Sequence, residues 1–177
     1  MKLVTTIIVM SLLSILGFSK DRERKNIVSN LEQDSLPVIS ELQKDELYQL
    51  ALDGIKIFEE DFIQNGSFLP FGFSVHNNKA FELIIYDEGS ETETLLTDYV
   101  YEKIDKKVKE AIANDSVRIT CLVYNGIIKN DTHPNGDDCF SFLFRGKEFR
   151  NTVLISFPIK LENKKLMYGK PVIQIYK

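Results

Sequence analysis

Apolar residues recur along this chain in two rhythms. After a polar stretch broken by Pro37, the residues Leu47, Leu50, Ala51, Gly54, Phe58 and Phe62 return at helical spacing, with Asp53, Lys56 and Glu60 on other faces. This predicts an amphipathic helix. It begins at Ser40, which with Gln43 forms a capping box for otherwise orphan backbone donors. It ends at Asn65-Gly66, since glycine takes the left-handed C-cap conformation cheaply. A second helix is predicted where Leu96, Val100, Ile104, Val108 and Ile112 recur every fourth residue, with Ser90 and Glu93 as its capping box and Asn114-Asp115 as its end.

The other rhythm has period two. Leu69, Phe71, Phe73 and Val75 alternate with Pro70, Gly72, Ser74 and His76, and Phe81, Leu83 and Ile85 alternate with Glu82, Ile84 and Tyr86. Asn77-Asn78 between the two runs suits a tight hairpin, because asparagine tolerates positive φ. Pro70 cannot donate to a ladder, which predicts an edge strand there. Further strands are predicted over about 117–128, 138–146, 151–159 and 171–176, with Phe140, Phe142 and Phe144 on one face of the second and Val153, Ile155, Phe157 and Ile159 on one face of the third. The order α-β-β-α-β-β-β-β predicts an α+β fold: an antiparallel sheet of about six strands with both helices on one face. The expected core includes Phe58, Phe62, Phe71, Phe73, Leu83, Val100, Ile104, Ile119, Phe142 and Ile155.

The N-terminus departs from both rhythms. Met1-Lys2 gives a short positive start, Leu3 to Leu16 is an uncharged and mostly apolar run, and Gly17-Phe18-Ser19 places small residues at −3 and −1 of a cut before Lys20. This is the pattern of a cleavable signal peptide over 1–19. The run is shorter than the roughly 20 residues that a spanning helix needs, so an uncleaved membrane anchor is the lesser reading. The chain then divides into a polar tail over 20–39 and one domain over 40–177, exported to the periplasm or the extracellular space, with no stable membrane span after cleavage.

With 177 residues, 44% of them hydrophobic and 27% charged, the composition is that of a globular domain large enough to fold without staples. The formal net charge is −4, and removing a leader whose one charged residue is Lys2 makes it more negative. An acidic domain lacks the basic face that phosphate contacts require, so nucleic acid is not an expected partner. Lys103, Lys106, Lys107 and Lys109 are interleaved with Glu102, Asp105 and Glu110 and read as a solvated helix face. Cys121 and Cys139 are predicted to be free, because their strands form a hairpin in which they lie several residues apart along the ladder.

Short steps along the domain resemble an uncharacterised family of small bacterial α+β proteins. These are the Pro70-Phe71-Gly72 opening strand, the acidic Asp137-Asp138-Cys139-Phe140 lead-in to a strand, Phe157-Pro158-Ile159, and the late Tyr168-Gly169-Lys170. The likeness runs from about Leu42 to the C-terminus and implies the fold class alone, since that family carries no assigned reaction.

Candidate chemistry is sparse. The segment from Lys129 to Asp138, which holds His133, is the most polar in the domain, and Asp131, Asn135, Asp137 and Asp138 offer hard oxygen ligands for a cation. Their spacing does not match an EF-hand, and Pro134, Asn135 and Gly136 serve turn geometry, so a mobile hairpin loop is expected and no metal or cofactor is implied. A nucleophile elbow, a Walker loop, a dinucleotide fingerprint and a zinc-spaced His/Cys set do not occur in the sequence. The expected function is an exported, non-catalytic binding or protein-interaction domain, with an immunity- or inhibitor-like protein as one version of it, and with a protein or peptide as partner. The surface expected to carry it is the edge at Pro70 and the sheet face bearing Ile84 and Tyr86, with His133, Asp137 and Asp138 as a second place. A small-ligand carrier and a hydrolase with a dispersed site near the 130–138 segment are the alternatives.

Overall fold

In the computed structural model, which describes residues 39–86, 97–131 and 133–176, Ser40 opens the first helix as its spacing predicts. The Ser40 side chain accepts from the backbone of Gln43, and the Gln43 side chain accepts from the backbone N–H of Ser40 at 2.9 Å. This helix, α1, runs Glu41–Asn65 and ends at Gly66, whose φ of 72° is left-handed. Strands β1 (Phe71–His76) and β2 (Phe81–Ile84) follow, then helix α2 (Thr97–Ala111). Five strands complete the chain: β3 (Val117–Asn130), β4 (His133–Gly146), β5 (Thr152–Glu162), β6 (Lys165–Tyr168) and β7 (Val172–Tyr176). The proposed leader, the tail to residue 38 and the Ser90–Glu93 capping box lie outside the described residues.

The α+β class and the element order hold, with one strand more than expected. The sheet has seven strands in the order β2-β1-β3-β4-β5-β6, with β7 pairing β5 beside β6, and every pairing is antiparallel. The added strand is β6, made possible by Asn163 and Lys164, which both take positive φ and close a two-residue turn between Glu162 and Lys165.

The placement of the helices corrects the expectation of a single covered face. Directly opposed residues in an antiparallel ladder share a face. Phe73, Cys121 and Phe144 form one such row, and Phe71, Val123, Phe142 and Ile155 another. These rows meet Leu47, Ala51, Ile55, Phe58 and Phe62 of α1 in the main core. The intervening row, Gly72, Leu122 and Leu143, belongs to the opposite face, where Val100, Ile104 and Val108 of α2 pack in a second core with Leu122. The sheet is therefore held between the helices. Alternation along a strand implies one apolar and one solvated face, whereas β3 carries apolar residues at both parities: Ile119, Cys121 and Val123 on one side, Leu122 and Tyr124 on the other. Gly72 makes the close approach of α2 possible, since a Cβ there would lie 2.4 Å from a methyl of Val108 and 3.0 Å from the Cys121 carbonyl oxygen.

Pro70 is buried, and β1, flanked by β2 and β3, is an inner strand, so the expected edge at Pro70 is corrected too. The proline precedes the first ladder residue and so costs no strand hydrogen bond. The late Tyr-Gly step ties β6 to the first helix and to β5. The Tyr168 hydroxyl donates to Glu59 of α1 at 2.9 Å, and the Gly169 N–H donates to the Pro158 carbonyl at 2.8 Å. Burial and the Glu59 carboxylate push the Tyr168 phenol well above the usual tyrosine range.

Candidate functional site

The end of the sheet formed by β2 is where surface chemistry concentrates. β2 is short and, among the described residues, pairs only β1, so within them alternate backbone groups along its outer side have no strand partner. Val75 opposes Phe81 and Phe73 opposes Leu83, which puts Phe81 and Leu83 on the α1 face of the sheet, and Ile85 continues the row. Helix α1 sits over the middle of the sheet and does not reach them: Phe81 is 42% exposed, Leu83 47% and Ile85 58%. Leu83 is thus removed from the expected core. The reason is position in the sheet rather than pattern, since the same alternation in β1 gives a Phe73 with no exposure at all.

The other face of β2 borders a groove of about 390 Å³ between the sheet and the C-terminal half of α2. Ser74, Glu82 and Ile84 line it from the sheet, and Lys107, Glu110 and Ala111 from the helix. The Lys107 ammonium donates to the Ile85 carbonyl at 3.3 Å. Ile84 and Tyr86, expected on an exposed face, are part-buried here against the Val100–Ile104–Val108 stripe. Tyr86 also meets Tyr99 edge-on, with ring centroids 6.0 Å apart. The apolar residues that remain open to a partner are therefore those of the opposite parity, Phe81, Leu83 and Ile85.

His76 closes the groove's end of the β1–β2 hairpin. Its Nε2 lies 2.9 Å from Glu82 Oε2 and its Nδ1 3.0 Å from Ser116 Oγ. A serine, a histidine and a carboxylate in sequence invite a nucleophilic reading. The geometry does not supply what that reaction needs. The backbone N–H of Ser116 is spent on Asn114 Oδ1 at 3.0 Å, and that of Val117 on the Asn114 carbonyl at 3.0 Å, so no adjacent donor is left for an oxyanion. Ser116 Oγ is also 3.0 Å from Asn114 Oδ1, to which it can donate its one proton. With Asn77 N–H on the Ser116 carbonyl at 2.8 Å, the group acts as a clasp between the β1–β2 turn and the α2–β3 turn.

The 130–138 segment differs from the loop expected. β3 and β4 form a long ribbon, and His133, Asp137 and Asp138 are strand residues. The register slips between Ile128 and Asn130, and Gly136 at φ 79° takes up the extra residues. This bulge brings His133 Nδ1 within 2.5 Å of Asp137 Oδ2, while Asp138 opposes Ile127. Among the described residues no three His, Cys, Asp or Glu side chains converge as a metal site would require. Neither Pro70, which is buried, nor His133, Asp137 and Asp138 at the ribbon's end joins the β2 groove.

Both cysteines are free and buried. Cys121 opposes Phe144 and Cys139 opposes Gly126, so they stand five ladder steps apart, and the parity of their positions puts them on opposite faces.

Sequence alone does not mark the Phe81–Leu83–Ile85 row as a site, because its period fits a core strand equally well. The legible signal is the shortness of the run before the charged residues Asp87 and Glu88. Comparison with family models, with curated proteins and with solved structures finds no match to this chain.

Proposed function

We propose that this chain is an exported, non-catalytic protein-interaction domain that takes an extended segment of a partner protein as an added strand on the outer edge of β2. One observation carries the reading: β2, an edge strand among the described residues, has three successive same-face side chains, Phe81, Leu83 and Ile85, that are apolar and exposed. Proteins guard such edges with charges, prolines or bulges; β2 carries one charge, Glu82, on the face opposite the apolar row, and an edge with an exposed apolar row is a template for pairing. The three side chains offer roughly 300 Å² of apolar surface, far below the area a stable dimer buries, which favours a short extended segment over a second copy of the chain. Export rests on the uncharged Leu3–Leu16 run and the Gly17 and Ser19 positions. Among the described residues no helix is long and apolar enough to cross a membrane.

A photo-crosslinking amino acid in place of Leu83, compared with one in place of Ile175 of β7, tests the surface in cells. The reading expects a covalent adduct with another protein from position 83 and none from position 175. An adduct from 175 alone would overturn it, and an adduct of the chain with itself from position 83 would replace the partner segment by a second copy. N-terminal sequencing of the recovered protein tests export: it should begin near Lys20, and a protein retaining Met1 contradicts it.

A further inference from the structure

We infer that the segment added to β2 carries a basic side chain, lysine or arginine, between two apolar ones. The inference rests on strand addition at this edge and names the chemistry of the strand it takes.

A strand laid beside β2 sends alternate side chains to opposite faces. On the α1 face they would lie against Phe81, Leu83 and Ile85, where apolar residues are matched by apolar neighbours. On the α2 face they would enter the groove beside Glu82, because Glu82 opposes Ser74 and both line that groove. Its floor is aliphatic, from Ile84 and Ala111, and suits the methylene stem of a long side chain. Two carboxylates stand at its walls. Glu82 is 65% exposed, with His76 Nε2 at 2.9 Å, and Glu110 is 64% exposed with Lys106 at 3.7 Å, an exposed pair of little strength. Lys107 is the opposing charge in the groove, and its ammonium is held toward the Ile85 carbonyl.

A separate observation gives the same sign. Glu110 and Ala111 are in the last turn of α2, where the helix dipole is negative and cations are stabilised. The chain already seats a cation just beyond this end: Lys147 Nζ donates to the Asn114 carbonyl at 2.6 Å, with Asp115 at 3.7 Å. Two carboxylates, a helix C-terminus and an aliphatic floor, against the ammoniums of Lys107 and Lys147 that are both committed to backbone carbonyls, select a basic guest over an acidic one.

The test uses capped peptides of the pattern Ser-Thr-Val-Xaa-Val-Thr-Ser with arginine, glutamine or glutamate as Xaa, titrated into the isotope-labelled protein and followed by amide chemical shifts. The arginine peptide should bind about fivefold more tightly than the glutamine peptide, and the glutamate peptide more weakly than either, with shifts on residues 81–85. E82Q and E110Q should reduce the arginine preference while leaving the affinity for the glutamine peptide in place; glutamine at 82 keeps an acceptor for His76, and thermal melts establish that both variants fold. Tightest binding of the glutamate peptide would overturn the inference in favour of Lys107. Equal affinities for all three, with shifts on 81–85, would end the basic preference and leave strand addition standing. No shift on 81–85 from any peptide at millimolar concentration would end strand addition itself.

Discussion

Phe73 and Phe81 stack with ring centroids 4.6 Å apart and planes 28° from parallel, yet the first is fully buried and the second is 42% exposed. The boundary between core and surface runs through this pair. A side chain's worth to the fold depends on what encloses it, so truncation should separate the two rings. Phe73→Ala should cost about 3–5 kcal/mol and Phe81→Ala under about 1.5 kcal/mol in denaturant unfolding. Equal losses would mean that Phe81 belongs to the core and that the edge is not open.

Gly72→Ala probes the helix on the other face. The added methyl would meet Val108 at 2.4 Å and backbone at 3.0 Å, so α2 must move outward. Overpacking of this kind typically costs about 1–3 kcal/mol, and a melting point at or above that of the parent protein would contradict the close contact.

Arg118 is the extra residue in the β-bulge between Val75 and His76, and the bulge turns its guanidinium onto Glu46 of α1, which accepts from both terminal nitrogens, one at 3.0 Å. The hydrogen bond from Arg118 holds the Glu46 carboxyl below its usual range against the opposing effect of burial. A depressed carboxylate pKa stabilises the fold above the unfolded-state value and loses that contribution as pH falls through the folded-state value. Glu46 is more than a third exposed, so solvent screens the pair, and Glu46→Gln should cost about 0.5–1 kcal/mol at pH 7. The difference between variant and parent should shrink below the ordinary glutamate pKa of 4.5 and vanish at lower pH. A difference that grows on acidification would reverse the sign of the argument.

Cys121 should resist alkylation in the native state and Cys139 should react first. Burial pushes both thiols up, Cys121 further, and the thiolate is the reactive form. Mass measurement during alkylation without reductant follows the order. Rapid labelling of Cys121, or a pair that takes no label after unfolding, would contradict free buried thiols.

Much of the fold is legible in the sequence because helix caps and periodicity are local. Ser40-Gln43 and Gly66 fix the ends of α1, and the Phe140–Phe142–Phe144 row names a core face that the structure keeps. What is not legible is set by distance. Parity tells that Ile84 and Leu83 point oppositely but not which one a helix will cover, and the expectation of one solvent face places both wrongly. Pro70 signals a missing donor, which an edge strand tolerates but so does the position before a ladder begins. The His133–Asp137 contact depends on a register slip that no run of residues announces. The clasp of His76 joins Ser116 forty positions away, a pairing only the folded sheet creates.

Hydrogen exchange on the arginine peptide complex measures the central claim most directly, because an added strand bonds through its backbone. Binding should slow exchange of amides within residues 81–85 that point away from β1, leaving those of β7 (Val172–Tyr176) and of the ribbon end near His133 unchanged. Protection at β7 or at the ribbon end, with the β2 amides exchanging as in the free protein, would contradict strand addition at β2.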